Sequence, residues 1–175
     1  MPNERLRIAI GGVVAVLLQV LLAPNIAIFS VIPNLLIVYT MLIAMVVPEE
    51  DHFVLAFTMG MTSDLLGYGP VGALPLLLIV ASLVASRLHE GFANGTVFVP
   101  LLAMMVAIAL VELLYAILMI VSGAGVSLLD ALVYCALPAT LYDCVLGILL
   151  FPLVRRLFTS SPMAVESVST GPHAR

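Results

Sequence analysis

Charged residues are scarce in this sequence. Only 9% of its 175 residues are Asp, Glu, Lys or Arg, whereas 63% are apolar, and the mean hydropathy is +1.27. So little polar surface cannot cover a globule in water, and the composition therefore excludes a soluble domain. A spanning helix uses about 20 residues, so a chain of this length has room for six or seven helices with short connections.

Basic residues and cysteines are also few, which excludes several classes of function. The six basic residues form no patch that would bind nucleic acid. Cys135 and Cys144 lie on one predicted helix about 13 Å apart along its axis, which is too far for a disulfide. The sequence contains no zinc-protease motif and no nucleophile motif. We therefore expect no catalytic residue, no metal and no cofactor.

Long apolar runs predict an all-α membrane protein, a compact bundle of six transmembrane helices. The runs are continuous and lack the alternation of a membrane β-barrel. We interpret the first run as an uncleaved helix, and Pro138 predicts a kink in the last. Residues 159–175 have the composition of a disordered cytoplasmic tail. The helices, in a single domain of residues 1–158, are predicted at about 8–22, 33–47, 53–67, 73–88, 97–121 and 128–158.

The arginines predict how the chain is oriented. Basic residues near helix ends are retained on the cytoplasmic side of the inner (plasma) membrane. With six spans and both termini in the cytoplasm, every arginine falls on that side and the three outer connections carry none. These residues are Arg5, Arg7, Arg87, Arg155, Arg156 and Arg175.

Three carboxyl groups, those of Asp64, Glu112 and Asp143, fall well inside predicted helices. A carboxylate at the membrane centre costs on the order of 3 kcal/mol. We therefore expect these side chains to face the bundle interior, where they are protonated or bonded to hydroxyls and helix-end N–H groups. Gly60 lies four residues before Asp64 on the same face and would let another helix approach closely. His52, at a helix end, is expected to be solvated.

Three sequence blocks resemble the rod shape-determining protein MreD family. In their order and spacing, the blocks match a Pro-Asn start of the second helix, a third helix that ends in Asp and the glycine-containing turn that follows. Gln19 and Pro24 also fall where the family often has these residues. Two departures are conservative in size, Ala56 for a glycine and Met61 for a leucine. The blocks are PNLLIV at 33–38, AFTMGMTSD at 56–64 and GPVGAL at 69–74.

The resemblance implies a fold, a function and a set of partners. The implied fold is similar to the substrate-binding S-components of energy-coupling-factor transporters. The implied function is a non-enzymatic membrane scaffold of the elongasome that maintains cell shape by binding MreC. The neighbours would be MreB, RodA and a class B penicillin-binding protein, within membrane lipid; a homodimer is left open. The positions that the resemblance implicates are Pro33, Asn34, Gly60, Asp64 and Gly72.

Three other interpretations remain open. A substrate-binding transporter subunit is the main alternative, because a small bundle with buried acids and a broken segment at 67–72 suits a solute or a proton. An intramembrane aspartyl protease needs two facing carboxylates, but Ser63 stands before Asp64 where that class has glycine. The third interpretation is an assembly protein of a different membrane complex.

Overall fold

The structure of the protein is a computed structural model that describes residues 2–28, 31–47, 52–67, 69–91, 98–123, 125 and 127–159. Within these ranges 87% of the residues are helical and there is no β-strand, as the sequence predicts. The predicted charged turn at 48–51 and nearly all of the predicted tail lie outside the described residues. The six helices are α1 (Pro2–Leu21), α2 (Leu35–Val46), α3 (Phe53–Leu66), α4 (Ala73–Gly91), α5 (Phe98–Val121) and α6 (Leu128–Thr159, in three consecutive stretches).

Helix starts differ from the predicted ones where side chains cap the backbone. α1 begins six residues before the apolar run, because Pro2 suits a first helical turn and Glu4 lies in that turn. α2 begins at Leu35, with Asn34 as its N-cap, so Pro33 precedes the helix and does not form its first turn. A short 3₁₀ helix, Ala23–Ile26, follows α1.

α2 is the central helix of the bundle. It contacts each of the other five helices, and 10 of its 12 residues are buried. At 1.5 Å per residue it is about 18 Å long, much shorter than the roughly 30 Å hydrocarbon core of a bilayer. α2 is therefore enclosed by the other helices and is by itself too short to cross such a core.

The outer surface of the bundle is apolar. Leu17 of α1, Leu102 of α5 and Leu149 of α6 are all more than half exposed. Among the described helices, Phe98–Val121 and Leu128–Phe158 are long and apolar enough to cross a membrane, and three apolar helices are shorter. An apolar groove of about 420 Å³ lies between α4 and α5. This surface suits lipid or apolar protein partners rather than water.

α6 is irregular near its start. A π-helical stretch, Ala131–Ala136, ends two residues before Pro138, where the sequence predicts a kink. Proline lacks an N–H group, so the backbone before it must adjust, and a π-turn is one such adjustment. Cys135 is exposed and Cys144 is buried, and both are free thiols.

His52 corrects one expectation. Its side chain is only 4% exposed, so the prediction of a solvated histidine is wrong. The His52 carbonyl accepts the Ala56 N–H at 2.8 Å, which makes His52 part of the first turn of α3. The packing of that turn against the bundle, and not its charged sequence neighbours, decides its exposure.

Gly60 allows α3 and the start of α4 to pack closely. A Cβ atom at this position would lie 2.5 Å from both the Cα and the nitrogen of Pro75. Backbone atoms cannot rotate away as a side chain can, so a larger residue would separate the two helices.

We predict that Gly60→Ala lowers the free energy of unfolding by about 1–3 kcal/mol, the usual cost of overpacking. Thermal unfolding in detergent measures this. Gly147→Ala is the matched control, because a Cβ there is crowded only by the flexible end of Met104 and lies in ordinary contact with Ile108, and both variants gain the same helix propensity. Equal melting temperatures for the two variants would contradict the predicted contact.

Candidate functional site

The first turn of α2 is bonded to two other helices through its backbone. The Asn34 N–H donates to Oδ1 of Asp143 on α6 at 2.9 Å, and the Leu35 N–H donates to Oε1 of Gln19 on α1 at 2.7 Å. The Gln19 amide also donates to the carbonyl of Pro33 at 3.1 Å. N–H groups at a helix start have no partner within their own helix, so these two side chains satisfy groups that lie away from water.

The Asn34 side chain completes this first turn and reaches a third helix. Its Oδ1 accepts the N–H groups of Leu36 at 3.2 Å and Ile37 at 3.3 Å, which is the usual role of an asparagine N-cap. Its Nδ2 donates to the hydroxyl of Ser63 on α3 at 2.9 Å. Through Asn34 and Leu35, the start of α2 is therefore held by α1, α3 and α6 together.

The start of α4 is bonded in the same way by a single carboxylate. Oδ2 of Asp64 accepts the N–H groups of Gly72 at 2.8 Å and Leu74 at 3.2 Å. Between them, the Ala73 N–H donates to the Pro70 carbonyl at 3.2 Å. The next residue, Pro75, has no N–H to satisfy. The positive end of the α4 dipole also favours a carboxylate at this point.

Gly72 is fixed by its backbone conformation. Its φ of +96° lies in the left-handed region that only glycine adopts easily. A Cβ atom at this position would have no other atom within 4 Å, so conformation and not space selects glycine. That conformation turns the Gly72 N–H toward Asp64.

Glu112 of α5 and Asp143 of α6 face each other in the interior. The two helices pack antiparallel, with Gly147 against Met104 and Ile108 and the Cys144 thiol 3.8 Å from the Met105 carbonyl. One turn farther along this contact, the carboxyl groups of Glu112 and Asp143 are close enough to interact directly. Asp143 is fully buried, and Glu112 is partly buried.

Tyr115 connects this pair to Asp64. It lies three residues after Glu112 on α5, and its hydroxyl lies beside the Asp64 carboxyl group. A side chain at Gly69 would collide with that hydroxyl, so the glycine leaves the space that Tyr115 occupies. The resulting set of neighbouring side chains, which we call the polar ring, consists of Asn34, Ser63, Asp64, Tyr115, Glu112 and Asp143.

The polar ring is suited to holding helices together. It joins α2, α3, α5 and α6 directly, and α4 through Asp64. Within the described part of the chain, no group of three or more Asp, Glu, His or Cys side chains is arranged to hold a metal ion. Apart from the N-cap bonds of Asn34 within α2, the described bonds of the ring fix one helix relative to another, which is the role of polar groups within a bundle in lipid.

The positions singled out from the sequence converge on this region. Of the three acids that the sequence predicts in the interior, Asp64 and Asp143 are buried and accept helix-start N–H groups, and Glu112 is partly buried. Pro33, Asn34, Gly60 and Gly72 lie at the same two helix starts. Sequence reasoning missed the bonds of Gln19 and the facing of Glu112 and Asp143. The only sequence signals for them were the polar character of Gln19 within an apolar helix and the spacing of Glu112 and Tyr115.

We predict that Asp64→Ala lowers the free energy of unfolding by about 1–3 kcal/mol, because it leaves the part-buried N–H of Gly72 and the buried N–H of Leu74 without an acceptor. Thr62→Ala is the control, since the Thr62 hydroxyl bonds only to the Thr58 carbonyl of its own helix and its loss should cost less than about 0.5 kcal/mol. Denaturant unfolding in micelles compares the two. If Asp64→Ala costs no more than Thr62→Ala, Asp64 does not stabilise the start of α4.

Comparison with known families matches nearly the whole chain. A family model described as rod shape-determining protein MreD matches residues 5–161. Comparison with curated proteins and with solved structures gave no significant match. The family match covers α2 to α6, all but the first three residues of α1, and every residue of the polar ring. The chain therefore belongs to the MreD family of rod shape-determining membrane proteins.

Proposed function

We propose that this protein is a non-enzymatic scaffold of the elongasome that binds MreC and supports the peptidoglycan synthases. The observation that carries the proposal is the match to the MreD family over residues 5–161, which implies a role in determining rod shape. MreB, RodA and a class B penicillin-binding protein are the proposed neighbours. Catalysis would remain with those partners.

The location of the polar groups supports a scaffold role. The buried side chains of Asp64 and Asp143 and the half-buried side chain of Asn34 bond to helix starts within the bundle, while the outer face is apolar. A partner helix would therefore bind laterally, through packing against the apolar face. We propose that Pro33, Asn34, Gly60, Asp64 and Gly72 support partner binding indirectly, by fixing the helices that form this face.

We also propose a membrane topology of six spans with both termini in the cytoplasm. The Arg7 guanidinium group donates to the Leu157 carbonyl at 3.3 Å, so the start of α1 and the end of α6 lie at one end of the bundle. Arg155 and Arg156 are at that same end of α6. Collecting basic residues at one end is what retention on the cytoplasmic side requires. A bundle similar to an S-component is part of this proposal.

Site-specific photo-crosslinking in native membranes tests the proposed partner without disturbing the interior. A photoreactive amino acid is placed at exposed positions on three faces, Leu17, Leu102 and Leu149, and the crosslinked proteins are identified by mass spectrometry. We expect MreC to crosslink strongly from one of these faces and at least tenfold less from the other two. The buried position Leu42 is the matched control and should give no partner.

The same experiment separates the proposal from its main alternative. Failure to recover MreC from any face of a protein that inserts normally would contradict the scaffold proposal. Recovery of an ATPase and a coupling subunit instead would identify a transporter substrate-binding subunit. A crosslink between two copies of the chain would identify a homodimer.

A further inference from the structure

The second oxygen of the Asp143 carboxyl group has no hydrogen-bond donor. Oδ1 accepts the Asn34 N–H at 2.9 Å, but Oδ2 is buried and has no partner among the described residues. A buried acceptor without a donor costs free energy in an apolar interior. The group that faces Asp143 across the α5–α6 contact is the carboxyl group of Glu112.

Two ionised carboxylates would not be stable in this position. No Lys or Arg occurs in α2, α3 or α5, so the pair has no basic partner on those helices. Adjacent carboxyl groups in such a site cannot both ionise, and they reach a stable state by holding one proton between them. The start of α2 favours negative charge on Asp143, because it presents the Asn34 N–H and the positive end of the helix dipole.

We propose that Glu112 and Asp143 form a binding site for a single proton that joins α5 to α6. Glu112 carries the proton and donates it to Oδ2 of Asp143, which remains the acceptor for the Asn34 N–H through Oδ1. The proton thereby supplies the donor that Oδ2 lacks. The proposed proton site does not depend on which partner the protein binds. Among the described residues, only Glu112 and Asp143 need to gain or lose a proton.

The surroundings of the pair are simple enough to make its titration visible. The titratable side chains that interact with the pair are Tyr115 on α5 and Cys144 on α6, and Tyr115 also lies beside Asp64 of α3. The sequences of α2 and of α4 up to Arg87 contain no Asp, Glu or His. Loss of the proton as the pH rises would leave two facing carboxylates, whose repulsion opposes the packing of α5 against α6.

Infrared spectroscopy and thermal unfolding of the full chain in detergent test the proposal. The wild type should show the carbonyl stretch of a protonated carboxylic acid, and the band should disappear in both Glu112→Gln and Asp143→Asn. In each variant the new side-chain amide donates a hydrogen bond to the remaining carboxylate, so the pair no longer needs a shared proton. The melting temperature of the wild type should fall by several degrees from mildly acidic to alkaline pH, whereas Glu112→Gln should remain flat.

Asp130→Asn is the control, because Asp130 is an exposed carboxylate at the start of α6. It should keep both the infrared band and the pH dependence of the wild type. The proposal is overturned if the wild type lacks the band, if Glu112→Gln and Asp143→Asn retain it, or if the wild-type melting temperature does not fall with pH. The wild-type measurements decide the question even if neither variant folds.

Discussion

This structure depends on one constraint. Backbone N–H groups at helix starts inside the bundle must find hydrogen-bond acceptors there. α2 is the central helix, and its first turn packs among α1, α3 and α6, so protein groups replace water as its hydrogen-bond partners. Each of its first N–H groups has a protein partner: the side chains of Asp143, Gln19 and Asn34, and then the Asn34 carbonyl. Each partner that lies on another helix also places that helix relative to the centre of the bundle.

The same constraint explains why carboxyl groups are found in the interior. Asp64 satisfies the start of α4 and Asp143 satisfies the start of α2, so the cost of burying each acid is offset by N–H groups that would otherwise be unbonded. Glycines at 60 and 72 provide the close approach and the backbone conformation that this arrangement needs. The positions of the polar-ring side chains are therefore explained by helix packing, without reference to a partner.

Much of this architecture can be predicted from the sequence because lipid imposes strong rules. The apolar runs locate all six helices, and the cost of charge in the membrane places Asp64 and Asp143 in the interior. The partners of those acids cannot be predicted in the same way, because Gln19, Asn34 and Asp143 are distant in sequence and meet only after the helices pack. The prediction for His52 fails for the same reason, since its burial depends on tertiary contacts and not on the charged residues beside it.

The most direct test of this account is hydrogen exchange at the start of α2. The amide hydrogens of Asn34 and Leu35 lie before the first intrahelical hydrogen bond of α2. Amide hydrogens at such positions exchange quickly in an ordinary helix. Because Asp143 and Gln19 accept them, we predict protection in micelles comparable to that of the buried middle of α2. Exchange as rapid as that of the exposed first turn of α6 would contradict the account, since the start of α2 would then not be held by the helices around it.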